Sequence, residues 1–322
     1  MHYVLRHFIT GITLALAASV AIAQAYPNKP IRFLVPSPAG GSPDILARIV
    51  GARLSEQLKQ QVVIDNRGGA SGVIGVEIVR NAAPDGHTLL LATATNCASL
   101  PVLKSKLPYD VDRDFTHLSR IAWVANVATV NANLGVNSVA DLVKLARDKP
   151  GQLNFGSAGN GTPAHLAGAM FNVLAGVKTT HIPYKGAALA LSDMMGGQIQ
   201  FLITSPLVAI PHGRAGRIKV LATTGAQRDP LLPELPTMAE TVPGYEIVQW
   251  WGITVAKGTP AAITQRLHKE LMTALNHPDS RAQMNKNGAT PSPESPEQFM
   301  AFMKAERARI ANVGKQAGIK LD

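Results

Sequence analysis

IRFLVPSPAGGSPDILARIV, residues 31–50, passes from an apolar run through prolines and glycines into a helical repeat. A near echo, LNFGSAGNGTPAHLAGAMF, occupies residues 153–171. In each, a strand (Ile31 to Val35; Leu153 to Phe155) gives way to a tight loop. Ser42 or Thr162 is placed as N-cap, with Pro43 or Pro163 at the first helical position, where a missing N–H costs nothing. Apolar residues follow at helical spacing: Leu46, Val50, Leu54 and Leu58 in one, Leu166, Met170, Val173 and Leu174 in the other. Free N–H groups at a helix N-terminus, approached through glycines, make an anion site. Two such sites in one chain suggest a jaw that grips a carboxylate.

Outward from these stretches, apolar runs alternate with helical patterns: strand 31–36, helix 43–59, strand 61–65, helix 72–82, strand 88–93. That alternation argues an α/β fold with a largely parallel sheet. Residues 137–151 form a helix cassette, started by Ser138 and Asp141 and stopped by Pro150-Gly151. A strand at 178–183, a helix at 187–195 and strands at 198–204 and 217–222 follow the second loop. The C-terminal part reads as helices at 260–276, 279–287 and 296–316. Apolar crossings near 120–131 and 246–256 bracket a middle segment. The expected organisation is a discontinuous first domain, 26–123 with 252–322, and a second domain, 124–251, inserted through two hinge strands.

Residues 1–25 carry Arg6, an apolar stretch from Phe8 to Ile22, and Ala-x-Ala at Ala21/Ala23 and Ala23/Ala25. This is the pattern of a secretory signal cleaved near Ala23 or Ala25. No other window is apolar over the ~18 residues a membrane helix needs. The single cysteine, Cys97, rules out an internal disulfide and reads as a buried thiol. Net charge is +10, but the basic residues are scattered, without the stripe or aromatic platform that nucleic acid requires. The nine histidines lack metal-ligand spacing, and neither G-x-G-x-x-G nor GK[ST] occurs, so no metal, cofactor or nucleotide is expected.

YPNKPIRFLVPSPAGGSPDILAR at 26–48 resembles the start of the mature Bug-type receptors, the periplasmic solute-binding proteins of tripartite tricarboxylate transporters. Further matches run in order: VVIDNRGGASGVIG at 62–75, APDGHTLLLAT at 83–93, KLPYDVDRDF at 106–115 and LNFGSAGNGTPAHLAG at 153–168. HIPYKGAALALSDMMGGQIQ at 181–200, LPTMAETVPGYE at 235–246 and the GTP of 258–260 complete the series. The resemblance implies a two-lobed, type II periplasmic-binding fold, closing on a small organic carboxylate and serving the permease subunits of a membrane transporter. It also implies a non-enzymatic, periplasmic, monomeric receptor. The loops matching 36–44 and 156–165 would hold the carboxylate from opposite lobes, with backbone amides, hydroxyls and waters.

On that expectation the ligand set includes Ser37, Ala39, Gly40 and Gly41 on one side, with Ser157, Ala158, Asn160, Gly161 and Thr162 on the other. Asp44, in a first helical turn, either complements the dipole or orients a bound water or ligand donor. His165 caps, packs or reaches the cleft. Thr95 and Asn96 follow an apolar strand and belong near the cleft, since ligands of α/β sheets bind at strand carboxyl ends. Tyr184, Lys185 and Gly186 open another loop-to-helix junction, and Ser205 follows a further strand. The sequence departs from the family pattern at Ser37, usually aromatic, at Asn96-Cys97, often Thr-His, and at Thr204, often aspartate. The loss of that aspartate argues against an amino-acid ligand. Two other functions compete: a secreted hydrolase using Ser157 and His165, though residues 155–159 read FGSAG rather than G-x-S-x-G, and a ligand sensor for a membrane signalling partner.

Overall fold

The computed structural model describes residues 26–321. The signal-peptide reading of residues 1–25 therefore lies outside the described residues. Two mixed sheets organise the chain. The first has six strands in the order β11-β4-β10-β3-β1-β2. They are β1 (Ile31–Val35), β2 (Val62–Asn66), β3 (Thr88–Thr93), β4 (Phe115–Ala125), β10 (Val248–Ala256) and β11 (Thr290–Pro291). The second has five in the order β7-β6-β8-β5-β9: β5 (Val127–Asn131), β6 (Asn154–Ser157), β7 (Thr180–Pro183), β8 (Phe201–Thr204) and β9 (Ile218–Thr223).

The two quoted stretches take equivalent places in the two sheets. β1 pairs in parallel with β2 and β3, and β6 with β7 and β8. Both faces of β1 are covered, and Ile31, Phe33, Leu34 and Val35 are wholly buried, as an unbroken apolar run in a parallel sheet requires. α1 (Ser42–Leu58) follows β1, and its Leu46, Val50, Leu54 and Leu58 are all buried as expected. α5 (Pro163–Ala175) follows β6 but buries a different stripe from the one its large residues suggest. Leu166 and Met170 are buried, whereas Val173 and Leu174 are exposed. The buried line runs instead through Ala164, Ala167, Phe171 and Ala175, because small residues let the helix lie close on the sheet. A Cβ on Gly168 would stand 2.1 Å from the Phe155 ring.

The remaining helices are α2 (Val73–Arg80), α3 (Leu100–Leu103), α4 (Val139–Asp148), α6 (Ala187–Met195) and α7 (Pro206–Arg214). α8 (Ala261–Asn276), α9 (Pro278–Lys286) and α10 (Pro296–Gln316) complete the chain's C-terminal part. α4 begins as its sequence implies, with the Ser138 hydroxyl accepting from the Asp141 amide at 3.0 Å.

The chain changes sheets at Asn126, between β4 and β5, and returns through residues 224–247. These crossings are bonded to each other. The Thr224 amide donates to the Asn126 carbonyl at 2.8 Å, and the Ile247 amide to the Thr224 carbonyl at 3.0 Å. α10 braces the return: Trp250 donates to Glu306 at 3.3 Å, and Arg309 pairs with Glu306 at 2.8 Å and bonds the Glu246 carbonyl at 3.2 Å. One apolar cluster runs through both sheets, from Leu34 and Leu90 by way of Ala98, Leu100 and Leu166 to Phe155 and Phe201. No helix among the described residues is long and apolar enough to cross a membrane.

Candidate functional site

Between the sheets lies a cleft of about 770 Å³. Its first wall is the loop after β1, from Pro36 to the start of α1, together with Gly68–Gly72 and the π-helical turn Thr95–Ser99 after β3. Its second wall holds Ala158, Gly159 and the start of α5, then Tyr184 to Leu189 at the start of α6, then Thr204 and Ser205 before α7. Gln249 and Trp251 of β10 close it from behind. The rim of the cleft is thus made at strand carboxyl ends, where the sheet leaves backbone groups free.

Four helices open on this space, two more than the pair of echoing loops implied. Each N-terminus carries roughly half a positive charge in its unpaired amides. Their caps differ. The Thr162 hydroxyl accepts from the His165 amide at 3.4 Å, and Ser205 accepts from Leu207 at 3.3 Å, so these two are self-capped. α6 begins at Gly186 with no side-chain cap. At α1 the N-cap is Gly41 rather than Ser42, which sits one position inside the helix and makes no capping bond. The Asp44 carboxylate reaches back to the loop instead, accepting from the Gly40 amide at 2.9 Å, so no side chain caps the first amides of α1, and Ser42 lines the cleft. The lining carries one charged side chain, Lys185, and no carboxylate.

Ser37, Ala39, Gly41, Thr95, Asn96, Ala158, Thr162, Tyr184 and Ser205 all line the cleft. Some of them have their polar atoms engaged within the protein. Asn96 accepts from Thr93 Oγ1 at 2.7 Å and donates to the Ser71 carbonyl at 3.0 Å, stitching two loops of the first wall. Tyr184 donates to Asp193 at 2.8 Å, and burial with that bond pushes its hydroxyl up to about 12.

Gly40, Asp44, Ser157, Asn160, Gly161 and His165 do not line the cleft: Asp44, Ser157 and Gly161 are buried, His165 is half-buried, and Gly40 and Asn160 are exposed. Burial alone would raise the Asp44 carboxyl, but Arg48 at 3.0 Å and the Gly40 amide hold it below the usual range. Ser157 is fully buried. Its hydroxyl accepts from the Gly159 amide at 3.1 Å and donates to the Gly159 carbonyl at 3.0 Å. Its oxygen also lies 2.6 Å from His181 Nε2, a hydrogen bond whose direction follows the imidazole tautomer. The hydrolase pairing of Ser157 with His165 is not formed, because the serine's partner comes from β7. His165 instead accepts from the Gly161 amide at 3.1 Å through Nδ1 and stacks on His181, with ring centroids 4.0 Å apart. Burial lowers both imidazoles, His165 to about 4 and His181, with His165 beside it, to about 3. This neutral pair shapes the loop from below. Cys97 is buried, and burial pushes its thiol up to about 12, as a non-reactive cysteine requires.

The sequence reading did not place Gly68–Gly72, Gln249 or Trp251 in the site. The first had a legible signal, a third glycine-rich loop before an apolar helix. Gln249 and Trp251 had none, since only the antiparallel register that sets Trp251 opposite Thr93 brings them there. The two walls touch at the lips. Ser71 Oγ donates to the Asn160 carbonyl at 2.9 Å, and a Cβ on Gly186 would meet Pro38 at 3.4 Å. The conformation is closed.

Residues 46–319 match the family model of the tripartite tricarboxylate transporter family receptor. Protein BugT of Bordetella pertussis is 33% identical over 317 residues, covering 97% of each chain. Among solved structures, "R. palustris Rpa4515 with adipate" is 37% identical, with a TM-score of 0.90, and covers 92% of this chain and 99% of that one. MatC (Rpa3494) from Rhodopseudomonas palustris with bound malate is 27% identical, with a TM-score of 0.84, covering 89% of this chain and 99% of that one. Family model, relatives and solved folds agree with the two-sheet architecture and its cleft: the chain belongs to the tripartite tricarboxylate transporter receptor family of periplasmic solute-binding proteins.

Proposed function

We propose that this chain is a periplasmic receptor that closes on a small organic carboxylate and delivers it to the membrane subunits of a tripartite transporter. One observation carries the reading: four helix N-termini and Lys185 face a closed cleft whose lining has no carboxylate. Such a space stabilises an anion through oriented amides without burying a lysine or arginine beside it. Solved relatives with adipate and malate support the ligand class. Ser37, Gly41, Ser42, Ala158 and the Gly186–Leu189 turn make the first contacts, and Ser157, His165 and Asp44 hold those loops in shape.

The mechanism is a population shift. A ligand bridging both walls is held fully only in the closed form, so its differential affinity sets how far the equilibrium moves. The permease then recognises that form. The chain acts as a monomer and catalyses nothing. Calorimetry of the mature protein with dicarboxylates, aromatic acids and amino acids tests the reading. Micromolar or tighter binding of an acid is expected; absence of binding across the panel overturns it. Pull-down of membrane partners with and without that acid separates uptake from signalling.

A further inference from the structure

The segment after α10 ties the two halves of the molecule together. α10 stops in a Schellman turn: Gly318 takes a φ of 64°, its amide donates to the Lys315 carbonyl at 3.3 Å, and the Ile319 amide donates to the Gly314 carbonyl at 2.8 Å. The turn sends the chain back onto α3. There the Leu321 amide donates to the Leu103 carbonyl at 2.8 Å, and Leu321 forms a parallel bridge with Lys104. Gly314 permits the approach, since a Cβ on it would stand 2.4 Å from Leu103. The backbone of Leu321 is thereby anchored to the half built on the first sheet.

Its side chain meets the other half. A Cβ on Gly161 would stand 2.6 Å from Leu321 Cδ1 and 3.1 Å from Leu100 Cδ2. Gly161 lies between Asn160, whose carbonyl accepts from Ser71 at the lip, and Thr162, the N-cap of α5. Gly159 and Thr162 of the same loop line the cleft, while Gly161 is buried behind them. One half-buried leucine of the first half therefore rests on the backbone of the second anion loop, from the side away from the cleft.

We propose that Leu321 is a positioning residue that seats loop 159–162 in the closed form. This rests on the carboxylate-receptor reading above. Opening about the crossings carries Gly161 away from a leucine that stays bonded to Leu103, so the contact is made on closing and lost on opening. Leu321 touches no ligand. It adds to the stability of the closed form alone, and a ligand that requires that form is held longer for it.

The probe is whichever of malate, adipate, benzoate and glutamate binds the mature protein most tightly. Leu321→Ala keeps the backbone bond to Leu103 and removes the contact. Its affinity is expected to fall about three- to tenfold, through faster dissociation at an unchanged on-rate. In thermal melts the ligand-free variant matches the unsubstituted protein, and the stabilisation added by a fixed ligand concentration shrinks. A loss as large in the ligand-free protein marks a merely structural role and overturns the proposal. Gly161→Ala drives a methyl towards Leu321, so the affinity it loses should be at least about threefold smaller in the Leu321→Ala background. Losses that multiply independently, or an unaltered off-rate in folded Leu321→Ala, overturn the role of Leu321 alone. Failure of all four acids to bind overturns the receptor reading and this role with it.

Discussion

Ser71→Ala isolates the cost of closing. In the closed form Ser71 Oγ donates 2.9 Å across the cleft mouth to the Asn160 carbonyl, a bond that opening breaks. Serine and alanine share the same Cβ, so at a φ of 56° the substitution adds no new backbone strain and removes the hydroxyl. A hydrogen bond between neutral groups contributes about 0.5–1.5 kcal/mol net. This one is exposed at the lip, which places it at the low end of that range. Since about 1.4 kcal/mol is a factor of ten, affinity should fall about two- to fivefold. The loss should appear in dissociation, because encounter occurs with the open form, where the bond is absent. Stopped-flow tryptophan fluorescence with a bound diacid reads both rates, with Trp250 and Trp251 beside the crossings as reporters. A faster off-rate with an unchanged on-rate is expected. An unchanged affinity, or a change confined to the on-rate, refutes the latch.

Three further outcomes follow from the geometry. His165 and His181 titrate near 4 and 3 in the folded protein, against an ordinary value of 6.5, so the unfolded chain binds more protons between those values. Stability is full above pH 6.5 and falls as pH drops towards 4; melting followed by circular dichroism should show this decline, and His181→Gln should make it shallower. Gly168→Ala drives a methyl into the Phe155 ring, and overpacking of this kind costs about 1–3 kcal/mol, which a denaturant midpoint would register as a clear loss. An unchanged midpoint would show that α5 can slide off the ring. Lys185→Glu should slow association of an anionic ligand, most at low ionic strength, where screening is weakest; salt-independent rates would remove Lys185 from the approach path.

Much of the fold was legible because its signals are local. β1 and β3 lie within the apolar runs that announced them, and α6 and α10 span the residues their spacing gave. The first loop-helix begins one position before the Ser42 cap that its sequence suggests, with Gly41 as N-cap and Asp44, two residues after Ser42, holding the Gly40 amide. The site was legible as loops but less so as atoms. Ser157 and His165 carry suitable chemistry, yet nothing local reveals that His181, arriving on β7, occupies both. Gln249 and Trp251 lie in an ordinary strand, and their place behind the cleft depends on sheet register alone. Val173 and Leu174 show the same limit from the other side: helical spacing identifies an apolar face, but the size of the neighbouring sheet residues decides which face is pressed home.

The apolar cluster that passes through both sheets has a thermodynamic signature. Because Leu100 and Leu166 belong to one core cluster, an opening about Asn126 and Thr224 would draw packed faces apart rather than swing two finished domains on a tether. Water admitted to those faces raises the heat capacity of the open form. Ligand binding should then carry a negative heat-capacity change larger than burial of a small acid accounts for, and the excess measures how much of the shared core the open receptor exposes.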